Sequence, residues 1–421
     1  MSVAILTGDC RDVLRTLADE SVHCVVTSPP YFGLRDYGVA GQIGLEPTPE
    51  AFVDELVSVF CELRRVLRKD GTAWLNLGDS YAGGGGFSGG APSTSGSKSG
   101  KYGILGGLKA GGIKPSGTIK AKNLVGIPWR VAFALQADGW YLRQDIIWSK
   151  PNPMPESVTD RCTRAHEYIF LLSRRARYHY DAAAIAETAE TDRAPSRKAK
   201  ASGAGHIALR PNGTPYNGEG SERNRRSVWE VPTTPYAEAH FATFPPGLIA
   251  PCILAGCPAQ VCAKCGAPWA SLQRRTGPDG ESVVVAASAR FAARADGRPL
   301  MGDNAYTADE RERGSFNAKS GVLAKETVGA APSCRCGAAD IPGTVLDPFA
   351  GAGTTGLVAD RLGRNAILIE LNPGYAAMAE DRLRYDAPLF VEIDRAAAPD
   401  PPRPLFSQIW DHPFEPPENE T

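Results

Sequence analysis

The chain has 421 residues, is 43% hydrophobic and 22% charged, and carries a formal net charge of −1. Its length allows a large core in two or three domains, and its near-neutral charge excludes a globally basic nucleic-acid binder while leaving a local basic patch open. Without a long apolar run or a basic-then-apolar leader it reads as cytoplasmic, with neither membrane nor export indicated, and its ten cysteines favour metal binding or burial over disulfides.

The first segment alternates apolar strands with helical patterns, which is α/β grammar: Val3-Ala4-Ile5-Leu6, then Val13 to Leu17, then a strand His23-Cys24-Val25-Val26. That strand runs into Thr27-Ser28-Pro29-Pro30-Tyr31. Two prolines fix φ, remove two N–H donors and hold the preceding residues extended, so carbonyls nearby stay free beside an aromatic ring. Such a group suits a planar amine-bearing ring; a plain strand-ending turn explains the tetrapeptide equally well. Residues 50–68 place Phe52, Leu56, Val59, Phe60, Leu63 and Leu67 at helical spacing, with Lys69-Asp70-Gly71 expected as the C-terminal stop, followed by a strand Thr72 to Leu77.

Residues 83–118 are Gly-, Ser- and Lys-rich with few apolar anchors and read as a mobile loop. A helix follows from Pro128-Trp129-Arg130 through Gln136, with strands near Tyr141–Trp148 and Tyr168–Leu172 closing a segment 119–182. Residues 183–229 turn polar and basic: from Arg193 to Arg226 eight Lys/Arg face Glu219 and Glu222. This excess suits a phosphate backbone, with a solvated charged loop as the lesser alternative. After a segment 230–258, a second irregular region spans 259–342, bracketed by Cys262-x-x-Cys265 and Cys334-x-Cys336. The first pair resembles a zinc knuckle and the four together fit a structural tetrathiolate zinc in a zinc-ribbon-like insertion; four reduced cysteines in a loop is the alternative.

The clearest α/β signal comes last, over 343–390. Thr344-Val345-Leu346 is a strand, Asp347 to Gly353 a tight turn, Thr354 to Leu362 a helix, and Ala366 to Ile369 a strand ending at Glu370. Gly351, Gly353 and Gly356 have the dinucleotide spacing, and an acid lies about twenty residues on, placed for ribose hydroxyls. The glycines alone do not separate NAD from S-adenosylmethionine. Asp347 beside them suits a cationic amino-acid moiety better than a pyrophosphate. The last residues, 391–421, form a Pro-rich acidic stretch read as a flexible tail.

Thr27-Ser-Pro-Pro-Tyr31 and Asp347-Pro-Phe-Ala-Gly-Ala-Gly353 together resemble the amino-group DNA methyltransferases, which modify N4 of cytosine or N6 of adenine. Their order, tetrapeptide before glycine loop, is similar to the permuted β class of that family. Gly33-Leu34-Arg35-Asp36-Tyr37, Asn76 to Tyr81, Ile147 to Pro153 and His240 to Pro245 add to the likeness. The resemblance implies a Rossmann-like, circularly permuted S-adenosylmethionine-dependent sheet with 1–82 and 119–182 as its catalytic half and 183–229 as an inserted target-recognition region. It further implies a bacterial or phage origin, double-stranded DNA as substrate, and a restriction endonuclease as a partner to look for. By the same likeness Asp347, Phe349, Gly351 and Gly353 line the methionine part of the cofactor, Glu370 holds its ribose, and Thr243, Phe244 and Pro245 close over it. Ser28, the Pro29 carbonyl, Pro30 and Tyr31 form the base pocket, and Arg223, Arg225 and Arg226 are the first candidates for DNA contact.

The chemistry accounts for these groups. An exocyclic amine is a poor nucleophile because its lone pair is delocalised; two oxygen acceptors on its N–H bonds favour a pyramidal nitrogen and stabilise the charge that develops there. Orientation of nitrogen, methyl and sulfur in line supplies much of the rest. Cysteine attack, as in C5 methylation, needs a Pro-Cys in the loop, whereas Pro251-Cys252 sits in a helical pattern that favours burial. Serine at position 28, rather than aspartate, leans the reading to N4 of cytosine over N6 of adenine. RNA or protein amide methylation and an NAD-dependent oxidoreductase are the competing functions: the first usually has the reverse motif order, and the second leaves Asp347 and Ser28 without a role.

Overall fold

The structure is a computed structural model that describes residues 1–83, 108–109, 119–188, 222–234, 243–276, 282–286, 324–387 and 392–397. The chain divides into two compact units, the larger of residues 1–184, 226–259 and 342–411, the smaller of 185–225, 260–341 and 412–421.

In the larger unit the elements are β1 (Ser2–Thr7), α1 (Cys10–Thr16), β2 (Val22–Thr27), α2 (Pro49–Val66), β3 (Leu67–Leu77), α3 (Ile127–Ala137), β4 (Tyr141–Ser149), β5 (His166–Ser173), β6 (Val228–Glu230), α4 (Pro246–Gly256), β7 (Thr344–Asp347), α5 (Thr354–Arg361), β8 (Asn365–Glu370), α6 (Pro373–Asp386) and β9 (Glu392–Ala397). The strands form one sheet in the order β6-β4-β5-β3-β2-β7-β8-β1-β9. All neighbours are parallel except β5, which runs antiparallel to both β3 and β4.

The central strands are apolar on both faces, as buried parallel strands must be. Every residue of β2 and of β8 is buried. Val25, Leu346, Ile367 and Ile369 meet α1, α2 and α3 through Val13, Phe52, Leu56, Phe60 and Val131. Helix α2 forms because its apolar residues recur every three or four positions, Thr48 Oγ1 accepts from the Ala51 N–H at 3.2 Å, and Pro49 fits the first turn. Burying each of its large side chains stabilises the unit by about 1.5–3 kcal/mol. On the opposite face α4 packs against β2, β3 and α5.

Three expectations are corrected. Lys69-Asp70-Gly71 does not stop α2: the chain turns at Leu67 into extended backbone, and Gly71 lies inside β3. A Cβ there would meet Leu67 Cδ1 at 2.5 Å and the His23 carbonyl at 2.9 Å, so the glycine serves close packing rather than capping. The region 259–342 is not wholly irregular. Trp269–Thr276 pairs antiparallel with both Ser282–Ala286 and Ala324–Pro332, and Val261–Cys262 with Asp340–Ile341. Nor is the start of 391–421 a loose tail, because β9 adds to the sheet beside β1. Its sequence, Glu392-Ile-Asp-Arg-Ala-Ala397, has no apolar run to mark it, as an edge strand has one neighbour and little need of apolar residues on both faces. Of the mobile loop expected at 83–118, all but Gly83, Leu108 and Lys109 lie outside the described residues; those last two pair with Arg35–Asp36.

Candidate active site

From β2 the chain moves to β3 on one side, and from β7 to β8 on the other. The crevice beyond the carboxyl ends of β2 and β7 is therefore a topological switch point, where open α/β sheets bind ligands. Registered pairs Cys24↔Val345 and Val25↔Leu346 make these two strands neighbours. Thr27 and Asp347 end them side by side, with Thr27 Oγ1 donating to Asp347 Oδ1 at 2.7 Å. The two motifs, 320 residues apart in sequence, thus leave the sheet together.

Asp347 is fully buried. Its Oδ1 also accepts from the Phe349 N–H at 3.1 Å, and its Oδ2 from Thr355 Oγ1 at 2.6 Å. Burial raises its carboxyl to about 6, against the opposing pull of Thr355, Thr27 and the Phe349 amide. The aspartate binds both strand ends and the first turn of α5 into one piece. Phe349, half-buried, packs against the core at the loop rim.

The glycines each have a geometric reason. Gly351 has φ 52° and gives its N–H to Glu370 Oε2 at 2.7 Å. Gly353 has φ 73°, and a Cβ there would lie 2.8 Å from that of Ala379. Gly356 lets α5 approach the sheet, since its Cβ would meet Leu368 Cδ1 at 2.6 Å. Glu370 ends β8 with Oε1 accepting from the Asn372 N–H at 2.9 Å. Burial pushes its carboxyl up to about 7, although the amides of Asn372 and Gly351 pull the other way. The rings of Tyr37 and Tyr375 meet edge-on at 6.2 Å and both phenols feel the Glu370 charge.

At the other lip of the crevice Tyr31 is fastened to two strands. Its hydroxyl is 2.7 Å from Glu167 Oε2 on β5 and 3.2 Å from Asn76 Oδ1 on β3. Asn76 Nδ2 donates to Glu167 Oε2 at 3.2 Å and to the Tyr168 carbonyl at 3.1 Å. Lys150, just past β4, donates to Glu167 Oε1 and lies 4.2 Å from the centre of the Trp148 ring. Ser28, partly exposed, stands in the same turn as Tyr31. Burial first, then the Glu167 charge, raises the Tyr31 hydroxyl well above its ordinary value. The ring lies on Gly78, where a Cβ would be 2.6 Å from Tyr31 Cε2. Asp79 then accepts from the Gly126 and Ile127 N–H groups at 3.0 and 3.1 Å, closing the start of α3 over this strand end.

Thr243, Phe244 and Pro245 lead into α4, whose first turn is closed by the Leu248 N–H on the Pro245 carbonyl at 2.9 Å. The far end of α4, Gly256, is seated on Thr72, where the Thr72 hydroxyl donates to the Gly256 carbonyl at 3.4 Å.

The sequence model of the family described as DNA methylase (N6_N4_Mtase) matches residues 22–260 and 339–381. The chain belongs to this DNA methylase family. Among its relatives are the type II methyltransferase M.XycI of Xanthomonas campestris pv. cyanopsidis, 37% identical over 90% of this chain and 87% of the relative, and M.SmaI of Serratia marcescens, 35% identical over 91% of each. M.Cfr9I of Citrobacter freundii is 46% identical over 60% of this chain and 71% of its own length. The protein is thus a DNA methyltransferase of the N4/N6 family.

In this methyltransferase the smaller unit holds two of the three candidate arginines. Arg223 pairs with Glu187 at 3.3 Å, where Glu187–Thr188 and Glu222–Arg223 form a two-stranded ribbon, and Arg225 is partly buried. Arg226 belongs to the larger unit and its carbonyl accepts from Trp229 Nε1 at 2.8 Å. The family match breaks off at residue 260 and resumes at 339, leaving out the segment that carries the four cysteines. Their sulfurs all lie within 4.8 Å of one another. Each pair is followed by a left-handed glycine, Gly266 and Gly337, both at φ 64°, and the Gly266 N–H returns to the Cys262 carbonyl at 2.8 Å. Burial pushes the Cys262 thiol up, but the Cys265 and Lys264 amides outweigh it and bring it to about 7. Among the described residues no helix is long and apolar enough to cross a membrane.

Sequence reasoning missed Glu167, the hub of the Tyr31 contacts, and the pair Thr27 and Thr355 that hold Asp347. The available signal was a carboxylate at the head of the apolar strand His166–Ser173, where a charge without a partner is costly.

Proposed function

We propose that this enzyme transfers the methyl group of S-adenosylmethionine to the exocyclic N4 amine of a cytosine flipped out of double-stranded DNA. The observation that carries this reading is the departure of the Ser28 to Tyr31 turn and the Asp347 to Gly353 loop from adjacent strands at the switch point. One lip offers acceptors and an aromatic ring for a planar amine, and the other offers glycine-loop backbone and two carboxylates for the methyl donor. Glu370 holds the ribose, Asp347, Phe349, Gly351 and Gly353 the methionine end, with Thr243 to Pro245 as the third wall.

A hydroxyl rather than a carboxylate at position 28 favours cytosine; N6 of adenine is the alternative the same pocket serves. Incubation of the protein with labelled S-adenosylmethionine and DNA, followed by digestion to nucleosides, is expected to yield N4-methylcytosine. N6-methyladenine as the sole product overturns the choice of base, and label in RNA or protein alone overturns DNA as substrate.

The remaining parts follow as proposals of the same kind. Residues 183–229, with Arg223, Arg225 and Arg226, contact the DNA, and a restriction endonuclease of the same recognition sequence is the expected partner. Cys262, Cys265, Cys334 and Cys336 hold a structural zinc ion: tetrahedral thiolate coordination at about 2.3 Å needs sulfurs about 3.8 Å apart, within the spread of this cluster.

A further inference from the structure

Between the pocket turn and α2 the chain makes an excursion, residues 32–44, whose two ends return to the same place. The Gly33 N–H bonds the Gly44 carbonyl at 2.8 Å, the Leu34 N–H bonds the Tyr31 carbonyl at 3.2 Å, and the buried side chains of Phe32 and Ile43 fix both ends in the core. At Gly44 a Cβ would stand 3.3 Å from the Tyr31 carbonyl oxygen, so the excursion is rooted on the pocket turn itself.

Its tip goes elsewhere. The Tyr37 ring meets the Tyr375 ring edge-on at 6.2 Å. Tyr375 lies in the first turn of α6, whose cap residue Asn372 gives its N–H to Glu370 Oε1 at 2.9 Å. A second tie runs beside this one: the Gly41 carbonyl accepts from Arg11 Nη2 at 2.8 Å, Arg11 is paired with Asp9, and the Gly8 N–H bonds the Glu370 carbonyl at 2.9 Å. The excursion is therefore supported at the end of β2 on one side and at the ends of β8 and β1 on the other. The strand end between those supports is that of β7, which carries Asp347 and the glycine loop. Gln42 holds the tip in shape, its Oε1 accepting from the Tyr37 N–H at 2.6 Å and its Nε2 donating to the Arg35 carbonyl at 3.1 Å. Of the two rings Tyr375 is buried, while Tyr37 keeps part of its surface accessible.

We propose that residues 32–44 are a strap over the methyl-donor site, with Tyr37 in contact with the adenosine part of the donor. The inference rests on the reading of this crevice as a site for S-adenosylmethionine with Glu370 at the ribose. The purine is bonded directly to that ribose, so it lies at the same strand end as the two tyrosines. A planar base packed on an aromatic side chain gains about 5- to 150-fold in affinity. Gln42 is on this account a positioning residue, setting the tip before the ligand arrives.

Titration calorimetry with two probes tests this: S-adenosylmethionine, and 5′-methylthioadenosine, which keeps the nucleoside and lacks the amino-acid end. Tyr37→Ala is expected to weaken both about tenfold or more, by a common factor. Gln42→Ala keeps both rings and takes its place if Tyr37→Ala melts below the assay temperature; it is expected to weaken both probes about threefold or more. Hydrogen exchange adds a readout that a packing role alone would not move, since S-adenosylmethionine should slow amide exchange across 33–44 in the wild type and not in Tyr37→Ala. Binding by the variant within twofold of the wild type, a loss confined to S-adenosylmethionine, or no slowing across 33–44 in the wild type overturns the strap and leaves methyl transfer standing. A wild-type protein that does not bind S-adenosylmethionine overturns the reading beneath it, and this inference with it.

Discussion

Gly78→Ala tests whether the seat of Tyr31 is as narrow as the geometry implies. The added methyl carbon would sit 2.6 Å from Tyr31 Cε2, 3.1 Å from Cδ2 and 3.3 Å from Cζ. Carbon atoms pack at about 3.5–4.0 Å, so the ring must retreat by about 1 Å. Gly78 is not among the positive-φ glycines, so alanine suits its backbone and the whole penalty falls on the ring. A retreat of that size breaks the 2.7 Å bond to Glu167 and shifts the aromatic face on which the base is to lie. Misplacement by about 1 Å costs on the order of a hundredfold in rate. Overpacking costs about 1–3 kcal/mol of stability, which lowers the melting temperature by several degrees and leaves the protein folded at 25 °C. Single-turnover methylation at saturating methyl donor and DNA, alongside thermal melting, separates the two effects. Methylation within about threefold of the wild type would refute a Tyr31 position fixed by Gly78, and with it the use of that ring as a base platform.

Thr27→Val removes one of three donors to the buried Asp347 and is expected to cost about 1.5–3 kcal/mol in chemical denaturation at pH 8, where the carboxyl is ionised; a loss below about 0.5 kcal/mol would show the bond to be dispensable. Burial raises the Glu370 carboxyl to about 7, and on the proposed assignment it must be ionised to accept ribose hydroxyls. Cofactor binding should therefore release a proton, and affinity should fall about tenfold per unit as pH drops below 7; titration calorimetry at pH 6.5 in two buffers of different ionisation heat checks this, zero proton release being the contrary result. Purified protein should carry close to one zinc per chain, and chelation should speed amide exchange within 260–341 while the β1 to β9 sheet keeps its protection; absence of metal, or exchange unchanged by its removal, would count against the tetrathiolate site.

Much of the catalytic unit was legible because its sheet is buried on both faces. Val3 to Leu6, His23 to Val26 and Ala366 to Ile369 are apolar runs whose ends coincide with Gly, Pro and acid signals, and they became β1, β2 and β8 with an added residue or two at each end. The helical pattern around Pro251-Cys252 became α4, and Cys252 inside it is buried as that pattern required. What escaped was of two kinds. Edge strand β9 has no apolar run in its sequence to announce it. Glu167 and Asn76 meet Tyr31 from two different strands and Lys150 reaches Glu167 from beyond a third, and single-chain periodicity carries no information about which strands are neighbours. Thr27 and Thr355 each look like ordinary cap or strand residues until β2 and β7 are set side by side.

The position of β7 between β2 and β8 also sets a timetable for synthesis. The pocket turn at residues 28–31 leaves the ribosome early, but the strand that must lie against β2 ends at Asp347, and the loop's carboxylate partner is Glu370. At about 5–20 residues per second the interval between the two halves is about 20–70 s. Throughout it β2 exposes an unpaired edge, which makes the nascent chain a client for chaperones and a hazard for strand pairing with its neighbours. On the proposed assignment a polypeptide cut short anywhere before this point would have the base clamp and no means of holding a methyl donor, so incomplete translation products would be inert rather than indiscriminate.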